Sequence, residues 1–117
     1  MTHLLRALQQ FTGSETVYQH SVFRKFIYTE GVQYLAEQTG AYWLLDYIFS
    51  SQYLPSLGQE SFQVWRLNVE ENQSATIIVE DGNKRFLNIF HIEFTDFPLE
   101  EFSLWVVDKT LLLPSEY

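Results

Sequence analysis

The chain has 117 residues, no cysteine and a net charge of −8, with 46% hydrophobic and 17% aromatic residues. This length predicts one domain spanning residues 1–117, and the apolar content predicts a globular chain with its own core. The missing cysteines exclude disulfides and thiolate chemistry. Eleven of the fifteen acids but only four of the seven bases lie in residues 59–117. This acidic balance disfavours direct binding to nucleic-acid phosphates.

The first half of the chain carries helical patterns around one extended segment. The spacing of leucines predicts a short helix over residues 2–10, and the aromatic and β-branched residues 17–28 favour a strand or an extended segment. Thr29 is a predicted N-cap for a helix that Gly40 ends. A second helix, apolar on almost every side and therefore largely buried, follows over residues 41–51.

The second half of the chain is dominated by strand patterns. The "EDGN" turn at residues 80–83 predicts a β-hairpin between its flanking segments. Because helices cluster first and strands follow, we predict an α+β fold with N-terminal helices packed on one face of an antiparallel sheet of four to five strands. The predicted strand segments are residues 62–69, 75–80, 84–95, 102–107 and 111–113.

The segment from residue 28 to residue 46, "YTEGVQYLAEQTGAYWLLD", has a distinctive pattern of glycines, aromatics and acids. In this pattern it resembles a family of small bacterial proteins known only as a domain of unknown function. The resemblance implies a bacterial protein of cytoplasmic type. It implies no activity, substrate, cofactor or catalytic residue.

The location of the protein is predicted from what the sequence lacks. Residues 1–15 have no long apolar core of the kind found in signal peptides, and no stretch approaches the ~18 apolar residues of a membrane span. Together with the missing cysteines, this predicts a cytoplasmic protein that uses neither a membrane nor a cofactor.

His20, His91, Glu93 and Asp46 are the candidates for catalytic chemistry. His91 and Glu93 alternate on one face of a predicted strand, and His20 lies in the extended segment before Thr29. If those strands are neighbours, these side chains converge and a small hydrolase-like or metal-assisted enzyme is an alternative. No compact HxH or HExxH spacing is present, so we assign no metal site.

Asp46 is the only charged residue in the predicted helix 41–51, and it lies off the apolar stripe. We expect this carboxylate to face water or to pair with a nearby base such as Arg24. Glu30 and Glu37 are the other acids of this region. A paired-acid site that combines them with Asp46 is the alternative, and it requires burial or mutual repulsion to raise a pKa.

The aromatic residues of the same helix outnumber the positions on its core side. Tyr42, Trp43 and Tyr47 are therefore candidates for binding a partner. We predict a non-catalytic binding or interaction protein with a protein partner, either a different chain or a second copy in a homodimer. An acidic inhibitor that imitates nucleic acid is a further alternative.

Overall fold

The computed structural model of the chain describes residues 2–13 and 16–117. No helix within these residues is long and apolar enough to cross a membrane. The elements in chain order are α1 (Thr2–Gln9), β1 (Val17–Gln19), β2 (Ile27–Thr29), α2 (Glu30–Thr39), α3 (Tyr42–Ser51), β3 (Phe62–Val69), β4 (Ala75–Glu80), β5 (Phe86–Ile92), β6 (Glu101–Val107), β7 (Thr110–Leu112) and a short 3₁₀ helix (Pro114–Glu116).

The strands of the described segments form one seven-stranded sheet in the order β1-β2-β7-β6-β3-β4-β5. Every neighbouring pair is antiparallel except β2 and β7, which run parallel. The fold is α+β, as predicted. The prediction of four to five antiparallel strands is wrong in both number and direction, because the sheet has seven strands and is mixed.

The extended segment 17–28 accounts for both strands beyond the predicted five. It divides into β1 and β2, which pair antiparallel with Tyr18 opposite Tyr28. Between the strands, the backbone N–H of Phe26 donates to the carbonyl of Phe23 and the N–H of His20 donates to the carbonyl of Phe26. The aromatic residues of this turn resemble strand residues in sequence, because bulky apolar side chains serve both roles when they are buried.

One face of the sheet packs against α2 and α3. Alternate residues of the central strands point to this face and are buried, among them Trp65, Ile77 and Leu111. Rings pack within the sheet and between the layers: Trp65 stacks on Phe90 of β5 at 5.5 Å, and Tyr47 of α3 meets Phe90 edge-on at 5.4 Å. Burial of each such side chain stabilises the fold by about 1.5–3 kcal/mol, so this layer holds most of the core.

The start of α2 is fixed by residues from both halves of the chain. The Thr29 hydroxyl accepts a hydrogen bond from the N–H of Val32, which confirms the predicted N-cap. The Glu116 carboxylate accepts hydrogen bonds from the Thr29 hydroxyl at 2.6 Å and from the N–H of Gly31 at 3.2 Å. A negative charge here also complements the helix dipole. Gly40 ends α2 in the left-handed conformation, as predicted.

The predicted hairpin joins β4 and β5. Gly82 takes a positive φ of 86° in its turn. The Asp81 carboxylate accepts hydrogen bonds from the N–H groups of Asn83 and Arg85 and from the Arg85 side chain. These bonds, above all that from Asn83, hold the pKa of Asp81 below its usual value. The turn is therefore held by side-chain contacts as well as by backbone conformation.

The segment between α3 and β3 is anchored by two buried amides. Gln52 and Gln63 exchange hydrogen bonds of 2.9 and 2.8 Å, and Gln63 also bonds the carbonyls of Leu57 and Glu60. The indole N–H of Trp65 donates to Gln63 at 2.9 Å. No buried side-chain polar atom of the described residues lacks a partner, so this polar cluster is compatible with a buried location.

Candidate functional site

His20 lies directly after β1, where the chain turns towards β2. Its Nδ1 accepts hydrogen bonds from the backbone N–H groups of Val22 at 3.1 Å and Phe23 at 3.0 Å. An imidazole nitrogen that accepts two N–H donors carries no proton, so the hydrogen of the neutral ring is on Nε2. The ring also contacts the rings of Phe23 and Phe49 at 5.2 and 5.3 Å.

The Nε2–H of His20 points to Asp46 of α3. Nε2 lies 2.6 Å from the Asp46 carboxylate, and the two side chains are 9% and 62% exposed. The pair therefore joins the turn after β1 to the middle of α3, with the imidazole inside and the carboxylate outside. Asp46 faces water, as predicted, and its partner is His20, where the sequence had suggested Arg24.

This arrangement limits what His20 can do chemically. Both ring nitrogens are engaged by groups of the chain itself. The imidazole thus offers no free lone pair to a metal ion and no free N–H to a substrate. The imidazole holds one oxygen of the Asp46 carboxylate, and the rest of that carboxylate faces solvent.

Two tyrosines lie opposite each other in the β1–β2 pair, next to the turn that holds His20. Tyr18 stacks on Tyr28 with ring centroids 5.6 Å apart, and Tyr28 in turn contacts Phe49 at 6.4 Å. Burial, Tyr18 and the Asp46 carboxylate, in that order of importance, raise the pKa of Tyr28. Negative charge on Asp46 contributes because it disfavours a phenolate in the same region of the surface.

A third tyrosine and a second carboxylate extend the same surface. Tyr42 and Asp46 are four residues apart on α3 and therefore lie on one helix face. The Tyr42 hydroxyl donates to the Glu37 carboxylate of α2 at 2.8 Å. Burial first, and then this bond, raise the pKa of Tyr42, and Tyr28 adds to the shift. We call Tyr18, Tyr28, Glu37, Tyr42 and Asp46 the tyrosine–carboxylate patch.

The structure separates the other candidates for chemistry from this patch. His91 and Glu93 are exposed residues in and just after β5, at the opposite end of the sheet from β1. Five strands lie between β1 and β5, so His20 does not meet His91 or Glu93. Among the described residues, no group of three or more His, Asp or Glu side chains is placed to hold a metal ion.

The three aromatic binding candidates have different surroundings. Tyr42 is exposed and belongs to the patch, whereas Trp43 and Tyr47 are half-buried against the core. Tyr47 meets Phe90 of β5 edge-on, with ring centroids 5.4 Å apart. Of this set, the structure leaves Tyr42 the most accessible to a partner.

The sequence did not identify Tyr18 and Tyr28 as members of the patch. Their contact depends on the antiparallel register across the turn at His20, which a single strand over 17–28 conceals. The spacing of Tyr42 and Asp46 by four residues was a usable signal, because it places both on one helix face. The sequence names Glu37 as a possible member of a paired-acid site. The structure joins Glu37 to this helix face through its bond to Tyr42.

Comparison with other proteins bears on the family to which the chain belongs. No curated protein and no solved structure shows significant similarity to the chain. One family model does match, over residues 2–117. The matched range covers the helices, the sheet and the whole patch. The predicted membership in a family without an assigned function is confirmed: the chain belongs to the family of unknown function DUF6876.

Proposed function

We propose that this protein is a non-catalytic interaction module that binds cationic side chains of a partner protein through the tyrosine–carboxylate patch. The observation that carries the proposal is the His20–Asp46 pair, in which the imidazole is fully engaged and the carboxylate is turned towards solvent. A catalytic pair would instead leave a ring nitrogen free for the reacting group.

The chemistry of the patch favours ammonium or guanidinium groups. Glu37 and Asp46 are exposed carboxylates, and no Lys or Arg among the described residues forms an ion pair with either. Tyr18 and Tyr42 add exposed rings beside them. A cation over an exposed aromatic ring gains about 0.5–1 kcal/mol, and tyrosine orders at low entropic cost when it binds.

The charge of the whole chain supports the same class of partner. The net charge of −8 attracts a cationic partner over distances comparable with the Debye length, which is about 8–10 Å at physiological ionic strength. Such attraction raises the association rate more than it raises the affinity. Binding through the patch should therefore weaken as salt is added.

The test is calorimetric titration with a short arginine-rich peptide, and the control ligand is the same peptide with citrulline in place of arginine. We expect binding of the charged peptide only. Asp46→Asn should weaken it roughly three- to tenfold, the equivalent of about 0.7–1.4 kcal/mol. Glu71→Gln, which removes an exposed charge from the β3–β4 turn, should change little.

Two outcomes would contradict the patch as the binding surface. One is equal binding of the citrulline peptide, which would show that binding does not depend on the positive charge of the peptide. The other is an equal loss for Asp46→Asn and Glu71→Gln, which would make the effect one of net charge.

The acidic inhibitor is a second candidate function. It is favoured by the acidic end of the sheet, where β3 ends and β6 begins. Glu70, Glu71, Glu100 and Glu101 are exposed there, and none forms an ion pair within the described part of the chain. Two grooves of about 530 and 290 Å³ are lined by Glu70 and Glu100 together with apolar residues. A surface of this kind suits a basic nucleic-acid-binding partner.

This candidate is tested by displacement of labelled duplex DNA from a small basic DNA-binding protein. The parent chain should displace the DNA, and the double variant Glu70→Gln/Glu100→Gln should do so less well. If Asp46→Asn/Glu37→Gln displaced the DNA no better than Glu70→Gln/Glu100→Gln does, this end of the sheet would not be the preferred surface.

A further inference from the structure

β5 is an edge strand with an unusual amount of exposed apolar surface. It lies at one end of the sheet order, so one side of its backbone faces no other strand. Phe86 and Ile89 are 58% and 53% exposed, and Phe94 just beyond the strand is 65% exposed. Edge strands are ordinarily short or protected by inward charges, proline or covering loops. β5 has seven residues and no proline.

The two arginines near the β4–β5 hairpin are paired with acids. Arg85 pairs with Glu60 at 2.8 Å and with Asp81 at 3.0 Å, and Arg66 pairs with Glu80 at 2.9 Å. Every ion pair of Arg or Lys among the described residues therefore lies near the β4–β5 hairpin. Two copies that meet at this edge bring less uncompensated negative charge together than at the end that carries Glu70 and Glu100.

The charges that flank β5 also have a direction. Lys84 precedes the strand and Glu93 follows it, and neither forms an ion pair among the described residues. If two copies of β5 pair antiparallel, the basic flank of each copy lies beside the acidic flank of the other. Parallel pairing would place like charges together, which destabilises a strand pair.

We propose that two copies of this chain form a dimer by antiparallel pairing of β5 with β5 across a two-fold axis centred on Ile89. Residues opposite each other in an antiparallel pair share one face, so a two-fold register must centre on a residue of the strand. Of the registers centred on 88, 89 and 90, only the one at Ile89 pairs all seven residues of β5 with the β5 of the second copy. This inference uses a surface separate from the tyrosine–carboxylate patch and does not depend on the proposed function.

Pairing requires one small rearrangement at the edge. In the single chain the N–H of Ile89 donates to the side-chain oxygen of Asn88 at 2.7 Å. In the dimer this N–H bonds the second copy, and Asn88 keeps its bond to Ser56. The opposite edge strand, β1, has only three residues and offers fewer backbone bonds than β5.

The experiment is sedimentation velocity on the purified chain and on three variants, with folding checked by circular dichroism. The parent should sediment as a dimer at micromolar to submillimolar concentration. Ile89→Lys and Ile89→Glu should each be monomeric, because each places like charges opposite one another at the two-fold axis. Mixing these two variants should restore a dimer, since the introduced charges are then opposite in sign.

The matched control is Val17→Lys, which adds a charge at a similarly exposed residue on the other edge strand. It should remain a dimer. A monomeric parent, or dissociation by Val17→Lys but not by Ile89→Lys, would overturn the proposal. Failure of the mixed variants to pair, with each of them folded, would overturn the register centred on Ile89.

Discussion

Among individual residues, His20 and Asp46 form the central contact of the candidate site, although they lie 26 positions apart in the chain. The sequence predicted that Asp46 leaves the packed face of its helix for water, since it is the one charge among apolar neighbours. It did not predict His20 as the partner. That contact requires the turn after β1, which the His20 side chain itself helps to form by accepting two backbone N–H groups.

Tyr28 reports on the charge of Asp46. Its pKa is raised by burial, by Tyr18 and by Asp46, so the variant Asp46→Asn should bring that pKa closer to the ordinary value of about 10. The measurement is an NMR titration of tyrosine labelled with ¹³C at the ring. Glu71→Gln is the control and should leave the titration of Tyr28 unchanged. An unchanged pKa of Tyr28 in Asp46→Asn would contradict the placement of these two side chains.

The raised pKa of Tyr28 also determines how this residue affects stability at alkaline pH. A raised pKa means that the folded chain holds the Tyr28 proton more tightly than the unfolded chain does. The contribution to stability is then complete below about pH 10 and is lost as the pH rises through the folded pKa. Tyr28→Phe should therefore show a shallower alkaline loss of stability in urea unfolding than the parent chain.

At the scale of elements, local signals in the sequence predicted more than long-range pairing. Thr29 as a cap, Gly40 as the end of α2 and the turn at Gly82 were all predicted, because each depends on residues within a few positions. The parallel pairing of β2 with β7 joins segments from opposite ends of the chain. Neither hydrophobic alternation nor turn chemistry specifies which distant strands become neighbours.

Gly31 shows how a distant contact constrains a helix. Alanine ordinarily stabilises a helix by about 1 kcal/mol over glycine. At this position a Cβ would come within 2.6 Å of the Leu113 side chain and 2.7 Å of the Glu116 carboxylate. Both neighbours are buried, and Glu116 is held by hydrogen bonds. Gly31→Ala should therefore lower the free energy of unfolding by about 1–3 kcal/mol.

Chemical denaturation measures this effect. The matched substitution is Gln38→Ala, at an exposed position of the same helix, which should be neutral or slightly stabilising. If Gly31→Ala were as stable as Gln38→Ala, the close approach of residues 113–116 to α2 would be wrong.

At the scale of the whole molecule, Glu116 connects the two halves of the chain. Its carboxylate accepts from the Thr29 hydroxyl, from the N–H of Gly31 and, at 2.9 Å, from the N–H of Leu113. Tyr117 extends the contact to the other sheet face, where its ring meets Phe62 and Trp105 at 5.6 and 5.3 Å. The Glu116 carboxylate thus ties the start of α2 to the segment after β7.

Removal of the Glu116 carboxylate tests this connection. Glu116→Ala leaves buried donors without their acceptor, and we expect a loss of about 2–4 kcal/mol in the free energy of unfolding. Glu116→Gln keeps one acceptor oxygen and should lose less. Glu71→Ala, at an exposed acid of the β3–β4 turn, is the control. A Glu116→Ala variant as stable as Glu71→Ala would show that the chain does not depend on this connection.

The central claim is that this chain recognises cationic groups through the tyrosine–carboxylate patch. The most direct measurement is a ¹H–¹⁵N NMR titration of the labelled chain with the arginine-rich peptide, which maps where the peptide binds. If the peptide binds to the patch, the largest shifts should occur at residues 18, 28, 37, 42 and 46. Shifts centred on Glu70, Glu71, Glu100 and Glu101 would move the function to the acidic end of the sheet, and no localised shifts at all would contradict the claim.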